Sequence, residues 1–278
     1  MSKGVRFMLA ATIVFSLMNV FVKAIPHIPV VEILFFRAII SLIISAGMLK
    51  AQGVSVWGNN KPILIARGVA GSISLFIFFS LLHQIPLATA RSLAYLAPIF
   101  TTIIGIFIVK EKVKPVQWIF FGISFIGVMV VQGFDSRIEV GHLIMGIFAA
   151  IFMALAYNFV RKLSTSEHPL VIIFYFPLVM LPISGVWSSF VWVMPIGTDW
   201  LFLLLVGVIT QIAQYFMTKS YQSEALSKVS IVSYVGIIFS LGFGYFIFDE
   251  TYNLATFMGM GLVMAGVVAN VIFKKSHG

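Results

Sequence analysis

The chain has 278 residues, 60% of them hydrophobic and 10% charged, with a mean hydropathy of +1.08. Soluble domains carry about a quarter charged residues, so a water-soluble globular protein is excluded. The 18 Lys and Arg against nine Asp and Glu leave a formal net charge of +9, and there is no cysteine. The basic residues are spread over loop edges and make no nucleic-acid patch. Without cysteine there are no disulfides and no thiol nucleophile.

A helix needs about 20 apolar residues to cross the hydrocarbon layer. Ten stretches satisfy this, at approximately 4–22, 30–49, 62–82, 87–109, 115–132, 141–160, 169–192, 200–220, 226–248 and 253–273. Barrel strands would be about 10 residues long and would alternate polar with apolar, which this sequence does not do. The breaks between stretches carry helix punctuation: Pro26 and Pro29, Gly58 with Pro62, Pro115, Pro169, and Pro195 with Gly197. Lys3 and Arg6 precede the first stretch in the manner of a signal peptide. No small-residue cleavage site closes it and nine stretches follow, so it reads as a retained anchor.

Taken in chain order, the first span carries Thr12, Ser16 and Asn19 on one face. The second carries Arg37 about two turns in, on a face shared with Ser41 and Ser45. The third begins near Lys61 and Arg67, both assigned to its cytoplasmic end, and has His83 near its outer end. Arg91 and Tyr95 follow one turn apart in the fourth, and the sixth ends with Tyr157 and Asn158. In the eighth, Gln211, Gln214, Tyr215 and Thr218 form a polar stripe that does not suit lipid. The ninth contributes Tyr234 and a small-residue face of Gly236, Ser240 and Gly244, matched by Gly146, Ala150 and Ala154 in the sixth. Such faces let helix backbones approach closely. Trp187, Trp192 and Trp200 lie at outer helix ends, where indoles belong at the bilayer interface.

The chain superposes on itself without a gap at a shift of 139 positions. Asn19 meets Asn158, Gly68 meets Gly207, Tyr95 meets Tyr234, Gly105 meets Gly244, Glu111 meets Glu250 and Gly127 meets Gly266. The expected domains are therefore residues 1–139 and 140–278, five spans each. With the N-terminus inside, 14 of the 18 Lys and Arg fall on the cytoplasmic side, so both termini are assigned to the cytoplasm. An odd number of spans per half makes the repeats inverted, the recurring construction of secondary transporters.

The run Leu87-Ala88-Thr89-Ala90, then Tyr95, Pro98-Ile99-Phe100, Gly105, Lys110-Glu111, Gly122 and Gly127-Val128, resembles the EamA-type family of the drug/metabolite transporter superfamily. Phe35-Phe36-Arg37 resembles it too, and the second copy keeps Tyr234, Gly244, Asp249-Glu250, Gly261 and Gly266-Val267. The resemblance implies a ten-helix alternating-access carrier of small metabolites. Its cavity would lie mainly among the first four helices of each half, with the fifth of each half outside, packing or pairing. Ile237 stands where the first half has Pro98, so no proline kink is expected in the ninth span.

The fold class expected is thus an all-α integral membrane protein of ten transmembrane helices. The expected function is secondary transport, as exporter or exchanger, of a small polar or amphipathic metabolite with anionic or zwitterionic character. The candidate cavity residues are Asn19, Arg37, Arg91, Tyr95, Tyr157, Asn158, Gln211, Gln214, Tyr215 and Tyr234. For each, a plain structural role stands beside this one: Arg37 and Arg91 pairing with Glu32 or Asp249, the asparagines bonding between helices, the tyrosines buried against a neighbour.

No Asp or Glu lies mid-span, so the carboxylate of a proton relay is missing. Glu111 and Glu250 are expected to cap the helix that follows each in the chain. The histidines at 27, 83, 142, 168 and 277 make no metal spacing and no nucleophile elbow is present. A membrane enzyme is disfavoured, a non-transporting scaffold is the alternative, and no cofactor or metal is called for. The partners expected are a small-molecule substrate and the lipid bilayer, with room for a homodimer and none for nucleic acid. Short tails and compact loops suit a bacterial inner membrane.

Overall fold

The computed structural model describes residues 2–132 and 139–276. Among them the chain forms only helices: α1 (Lys3–Ala24), α2 (Val30–Ala51), α3 (Lys61–Gln84), α4 (Leu87–Ala94), α5 (Ala97–Ile108), α6 (Pro115–Gln132), α7 (Val140–Lys162), α8 (Pro169–Ser188), α9 (Asp199–Ser223), α10 (Leu226–Val229), α11 (Gly236–Phe248) and α12 (Leu254–Ser276). Short 3-10 turns extend α7 at Leu163–Thr165 and join α10 to α11 at Ser230–Val235. Helix starts follow the punctuation: Pro62 and Pro169 open α3 and α8, and Asn60 caps α3 by accepting from Ile63 N–H at 3.4 Å.

Among the described residues, seven segments are long and apolar enough to cross a membrane: Lys3–Ala24, Val30–Ala51, Lys61–Gln84, Val140–Thr165, Pro169–Ser188, Asp199–Ser223 and Leu226–Phe248. Three shorter apolar helices, Ala97–Ile108, Pro115–Gly127 and Leu254–Gly266, correspond to the other three expected stretches. The fourth stretch is shorter because it is interrupted. Pro98 has no N–H to offer the Ala94 carbonyl four residues back, and the helix breaks at Tyr95 and Leu96.

The ninth stretch corrects an expectation. It lacks the proline, yet it unwinds into the 3-10 segment Ser230–Val235, ending one residue past Tyr234, the partner of Tyr95 in the repeat. Ser233 Oγ donates to the Ser230 carbonyl at 2.6 Å, a local bond that competes with regular helix, and Gly236 follows without a Cβ. The two interrupted rods, α4–α5 and α10–α11, run side by side in opposite directions. The Tyr95 and Tyr234 rings meet edge to face, 5.3 Å apart, where both are broken.

The longest helix contacts join the two halves of the chain: α1 with α9, α3 with α7, α2 with α8, and α6 with α12. α6 and α12 pack on each other through glycines that leave no room for a side chain. A Cβ on Gly127 would stand 2.6 Å from the Gly259 carbonyl, and one on Gly266 would stand 2.7 Å from the Phe120 carbonyl. The buried side chains gather around α1, α2, α3, α7, α8 and α9, which together surround the cavity described next.

Candidate functional site

Three arginines converge on a cavity of about 90 Å³ between the halves. α2 brings Arg37, α3 brings Arg67 and α4 brings Arg91, with Asn19 from α1, Tyr157 from α7, Phe176 from α8 and Gln214 from α9. Arg37 and Arg67 are each 2% exposed, in a setting where an unpaired charge costs several kcal/mol. Arg37 Nε donates to Thr210 Oγ1 at 2.9 Å and its Nη1 approaches Met180 Sδ at 3.8 Å. Arg67 Nη2 donates to Gln214 Oε1 at 2.9 Å, while its Nε and Nη1 are buried without a partner. The Phe176 ring supports both, with guanidinium carbons 4.3 Å (Arg67) and 5.1 Å (Arg37) from its centroid. Arg91 lies 5.5 Å from the Tyr95 ring and 5.9 Å from that of Phe78, and its Nε is unpartnered.

Among the described residues, no carboxylate lines this cavity. Eight of the nine acids are described, and each sits at a helix end or junction. Glu32 accepts from Val193 N–H at 3.0 Å, Glu167 from Asn60 N–H at 2.6 Å, and Asp199 from Ile196 N–H at 2.9 Å. Asp199 also meets His27 at 3.0 Å and Glu224 meets Lys228 at 2.8 Å. The pairing of Arg37 or Arg91 with Glu32 or Asp249 is not observed.

A smaller cavity of about 50 Å³ adjoins the first, lined by Met8, Thr12, Tyr95, Pro98 and Tyr221 among others. Phe15, Arg91, Met153, Tyr157 and Met217 line both and stand between them. Together the two are smaller than the several hundred Å³ usual for a metabolite pocket.

Both ends of the interrupted rods are tied across the halves in the same way. Leu87 N–H, opening α4, donates to Glu250 Oε1 at 2.9 Å, and Lys23 Nζ meets that oxygen at 3.2 Å. Leu226 N–H, opening α10, donates to Glu111 Oε1 at 3.0 Å, and Arg161 Nε meets it at 3.2 Å. The basic partner then binds the end of a further helix: Lys23 donates to the Ile85 carbonyl after α3, and Arg161 to the Tyr221 and Gln222 carbonyls of α9, at 3.1, 3.1 and 3.2 Å. Lys110 and Asp249, with φ of 58° and 50°, turn the chain so that Glu111 and Glu250 N–H reach back to the Gly105 and Gly244 carbonyls. The glutamates therefore cap helices, but those of the opposite half rather than the ones that follow them.

The sequence profile of the EamA-like transporter family matches the chain twice, over residues 2–132 and 141–272. The chain belongs to the EamA-like transporter family. It is 30% identical to the pseudopaline exporter CntI of Pseudomonas aeruginosa, over 99% of this chain and 98% of that one. It is 27% identical to solute carrier family 35 member G1 of Homo sapiens, over 96% of this chain and 78% of the human one. A solved crystal structure superposes with a TM-score of 0.82 over 98% of both chains at 18% identity, which establishes a shared fold. The protein is an integral membrane transporter and not an enzyme.

Within this EamA-type fold, Asn19, Arg37, Arg91, Tyr157 and Gln214 line the main cavity, and Tyr95 lines the adjoining one. Asn19 is fully buried with both amide atoms unpartnered. Its repeat mate Asn158 is not in the lining: Nδ2 donates to the Thr101 carbonyl at 3.0 Å and the Ala154 carbonyl at 2.9 Å, tying α7 to α5. Tyr234 lies behind Tyr95 with its hydroxyl unpartnered, and Gln211 is buried with both amide atoms unpartnered, neither in the lining. Tyr215 points elsewhere, into a groove with Lys3, Phe7 and Lys219. His83 does not line the cavity.

Arg67 is the residue that sequence reasoning missed. Counting it with Lys61 as a loop-edge cation put it at the surface, but it lies six residues into α3, about 9 Å along the axis. That depth was the available signal, because a side chain rooted so far in needs a cavity or a partner.

Proposed function

We propose that this EamA-type protein is a secondary carrier that moves a small anionic or zwitterionic metabolite by alternating access between its halves, residues 1–139 and 140–278. The halves are read as inverted five-span repeats with both termini cytoplasmic, in a bacterial inner membrane. Pairing of α1 with α9 and α3 with α7, with α2 on α8 and α6 on α12, supports that reading, since each contact maps onto itself or another when the halves are exchanged. Similarity to CntI, named an exporter of pseudopaline, supports export.

The observation that carries the cargo class is the set of three arginines on one cavity with no acid among the described residues of its lining. Arginine is charged at any physiological pH, so a negative group on the cargo supplies what the protein does not. Asn19 is assigned to orient the cargo through its free amide, and Tyr157 and Tyr95 to contact its body. The crossed glutamate ties are assigned as gates. One holds α4 to the α11 end and the other holds α10 to the α5 end, with a rod of about 30 Å between them. Opening either face breaks one tie and keeps the other.

Counterflow in proteoliposomes, with labelled amino acids, carboxylates and organic cations, tests this. Saturable exchange of an anionic or zwitterionic compound, abolished by Arg37→Gln at normal protein abundance, is the expected result. Exchange restricted to cations and indifferent to Arg37→Gln refutes it.

A further inference from the structure

The carrier reading asks for one negative group on the cargo. The charge inventory around the cavity asks for more. Arg37 and Arg67 flank a single ring, Phe176, which puts their guanidinium carbons at most 9.4 Å apart, the two centroid distances laid end to end. Their hydrogen-bond acceptors, Thr210, Met180 and Gln214, are all neutral. Arg91 adds a third cation from a different wall of the same cavity, with aromatic rings rather than a carboxylate beside it. The eight described carboxylates are at helix ends, and none of them lines either cavity.

We infer that the cargo carries at least two carboxylates, one held by Arg67 together with Arg37 and another by Arg91; this rests on the carrier reading above. A single negative charge would leave two like charges buried together, which a low-dielectric interior penalises strongly. Arg67 also shows how the first carboxylate is held. Its Nε and Nη1 are buried and unpartnered while Nη2 is held by Gln214, which leaves two charged N–H donors free to meet carboxylate oxygens. Asn19 offers a free amide carbonyl and amide NH₂ for an amine or hydroxyl on the carbon skeleton. Phe15, Phe78, Met153 and Met217 give that skeleton apolar walls. The donors come from three helices, α2, α3 and α4, and rest on different rings, Arg37 and Arg67 on Phe176 and Arg91 on Phe78 and Tyr95. This favours dispersed acidic groups over a phosphate ester.

Detergent-purified protein would be titrated with propionate, alanine, succinate, citrate and glycerol 3-phosphate, following thermal stabilisation, and the same compounds tested for counterflow. Stabilisation and exchange should rise from propionate and alanine to succinate and citrate. Arg67→Gln should weaken citrate by roughly tenfold or more, the scale of a lost charged hydrogen bond. Its unliganded melting temperature should not fall, since an unpaired buried charge has been removed. Arg67→Lys, which keeps the charge but loses the fixed Nε and Nη1 donors, should also weaken citrate and serves as the control should the glutamine variant misfold.

Propionate or alanine binding as tightly as citrate would overturn the inference and leave the carrier reading standing. So would tighter binding of glycerol 3-phosphate, no stabilisation by any polycarboxylate, or citrate affinity unchanged in both Arg67 variants. Exchange of organic cations alone would overturn both.

Discussion

Glu250→Gln isolates one gate. The substitution removes the charge that meets Lys23 Nζ at 3.2 Å but leaves an oxygen for Leu87 N–H. Lys23 and Glu250 side chains are 18% and 8% exposed, so the pair is worth more than the 0–1 kcal/mol of an exposed ion pair. Hydrogen bonds to charged groups contribute about 1.5–3 kcal/mol. Taking about 2 kcal/mol, loss of this tie shifts the balance between closed and open at the Lys23 end by about 30-fold. Glu111→Gln does the same at the Arg161 end, where the matching distance is also 3.2 Å. Because the chain has no cysteine, a single cysteine at Ala156 in the cavity lining reports access without background. Labelling by a membrane-impermeant maleimide from each side of the membrane should rise on one side in Glu250→Gln and on the other in Glu111→Gln. If both variants raise labelling on the same side, or lower the melting temperature with no change in labelling, the ties only staple the fold and the gate assignment is wrong.

Gly127→Ala and Gly266→Ala should each lower the melting temperature by the cost of overpacking, about 1–3 kcal/mol, with KM unchanged, because the new Cβ would meet backbone of the opposing helix at 2.6–2.7 Å. Asn158→Ala should cost about 1–2 kcal/mol of stability through its two lost hydrogen bonds, whereas Asn19→Ala should spare stability and raise KM; a thermal melt beside a counterflow titration separates the two. Gly236→Ala should keep the fold and raise KM severalfold, since its Cβ would stand 2.8 Å from Tyr95 Oη and 2.9 Å from Arg91 Nη2 and push both into the cavity. His168 caps α8 by accepting from Leu170 N–H at 3.3 Å, which only the unprotonated ring nitrogen can do. Partial burial and the Lys219 charge hold its pKa below the usual 6.5. That cap is therefore intact above pH 6.5 and lost as pH falls through the lowered value, so the melting temperature should drop on acidification there, and less so in His168→Asn.

The helical architecture was readable because bilayer solvation imposes length and hydropathy directly. The repeat was readable because Gly105, Glu111 and Gly127 each have an identical residue at a constant shift. The break in the ninth stretch was not. It carries a serine bonded to the carbonyl three residues back and a glycine three residues on, weaker sequence signals than proline. The capping role of Glu111 and Glu250 was visible, but their targets were not, since Leu226 and Leu87 lie 115 and 163 residues away along the chain. Face assignment was the other weak point. A polar stripe on α9 was inferred from spacing alone, yet Gln214 and Tyr215 are neighbours pointing to different surroundings, one to Arg67 and the other to Lys219. Membrane helices that are apolar on every side give no hydrophobic stripe to tell inside from outside.

On the proposed reading, the repeat is kept in the gates and dropped in the groups assigned to the cargo. Gly105 and Gly244, the left-handed Lys110 and Asp249, and the glutamate ties recur at both ends with the same geometry. Equal ties give the two open states comparable energies, which a carrier needs if it is to visit both. The binding groups have no such symmetry: Arg37, Arg67 and Arg91 all come from the first half, and Phe176, Val206 and Ser230 stand at their repeat positions in the second. Phe176 has become the ring on which Arg37 and Arg67 rest. An off-axis site presents different groups to cargo arriving from each side, so the affinities at the two faces need not match. Exchanging the Arg67 and Val206 identities, Arg67→Val with Val206→Arg, should therefore leave the gates intact while reversing the side on which cargo binds more tightly, measurable as the ratio of counterflow KM values at the two faces. An unchanged ratio with binding retained would show that the site lies on the axis after all.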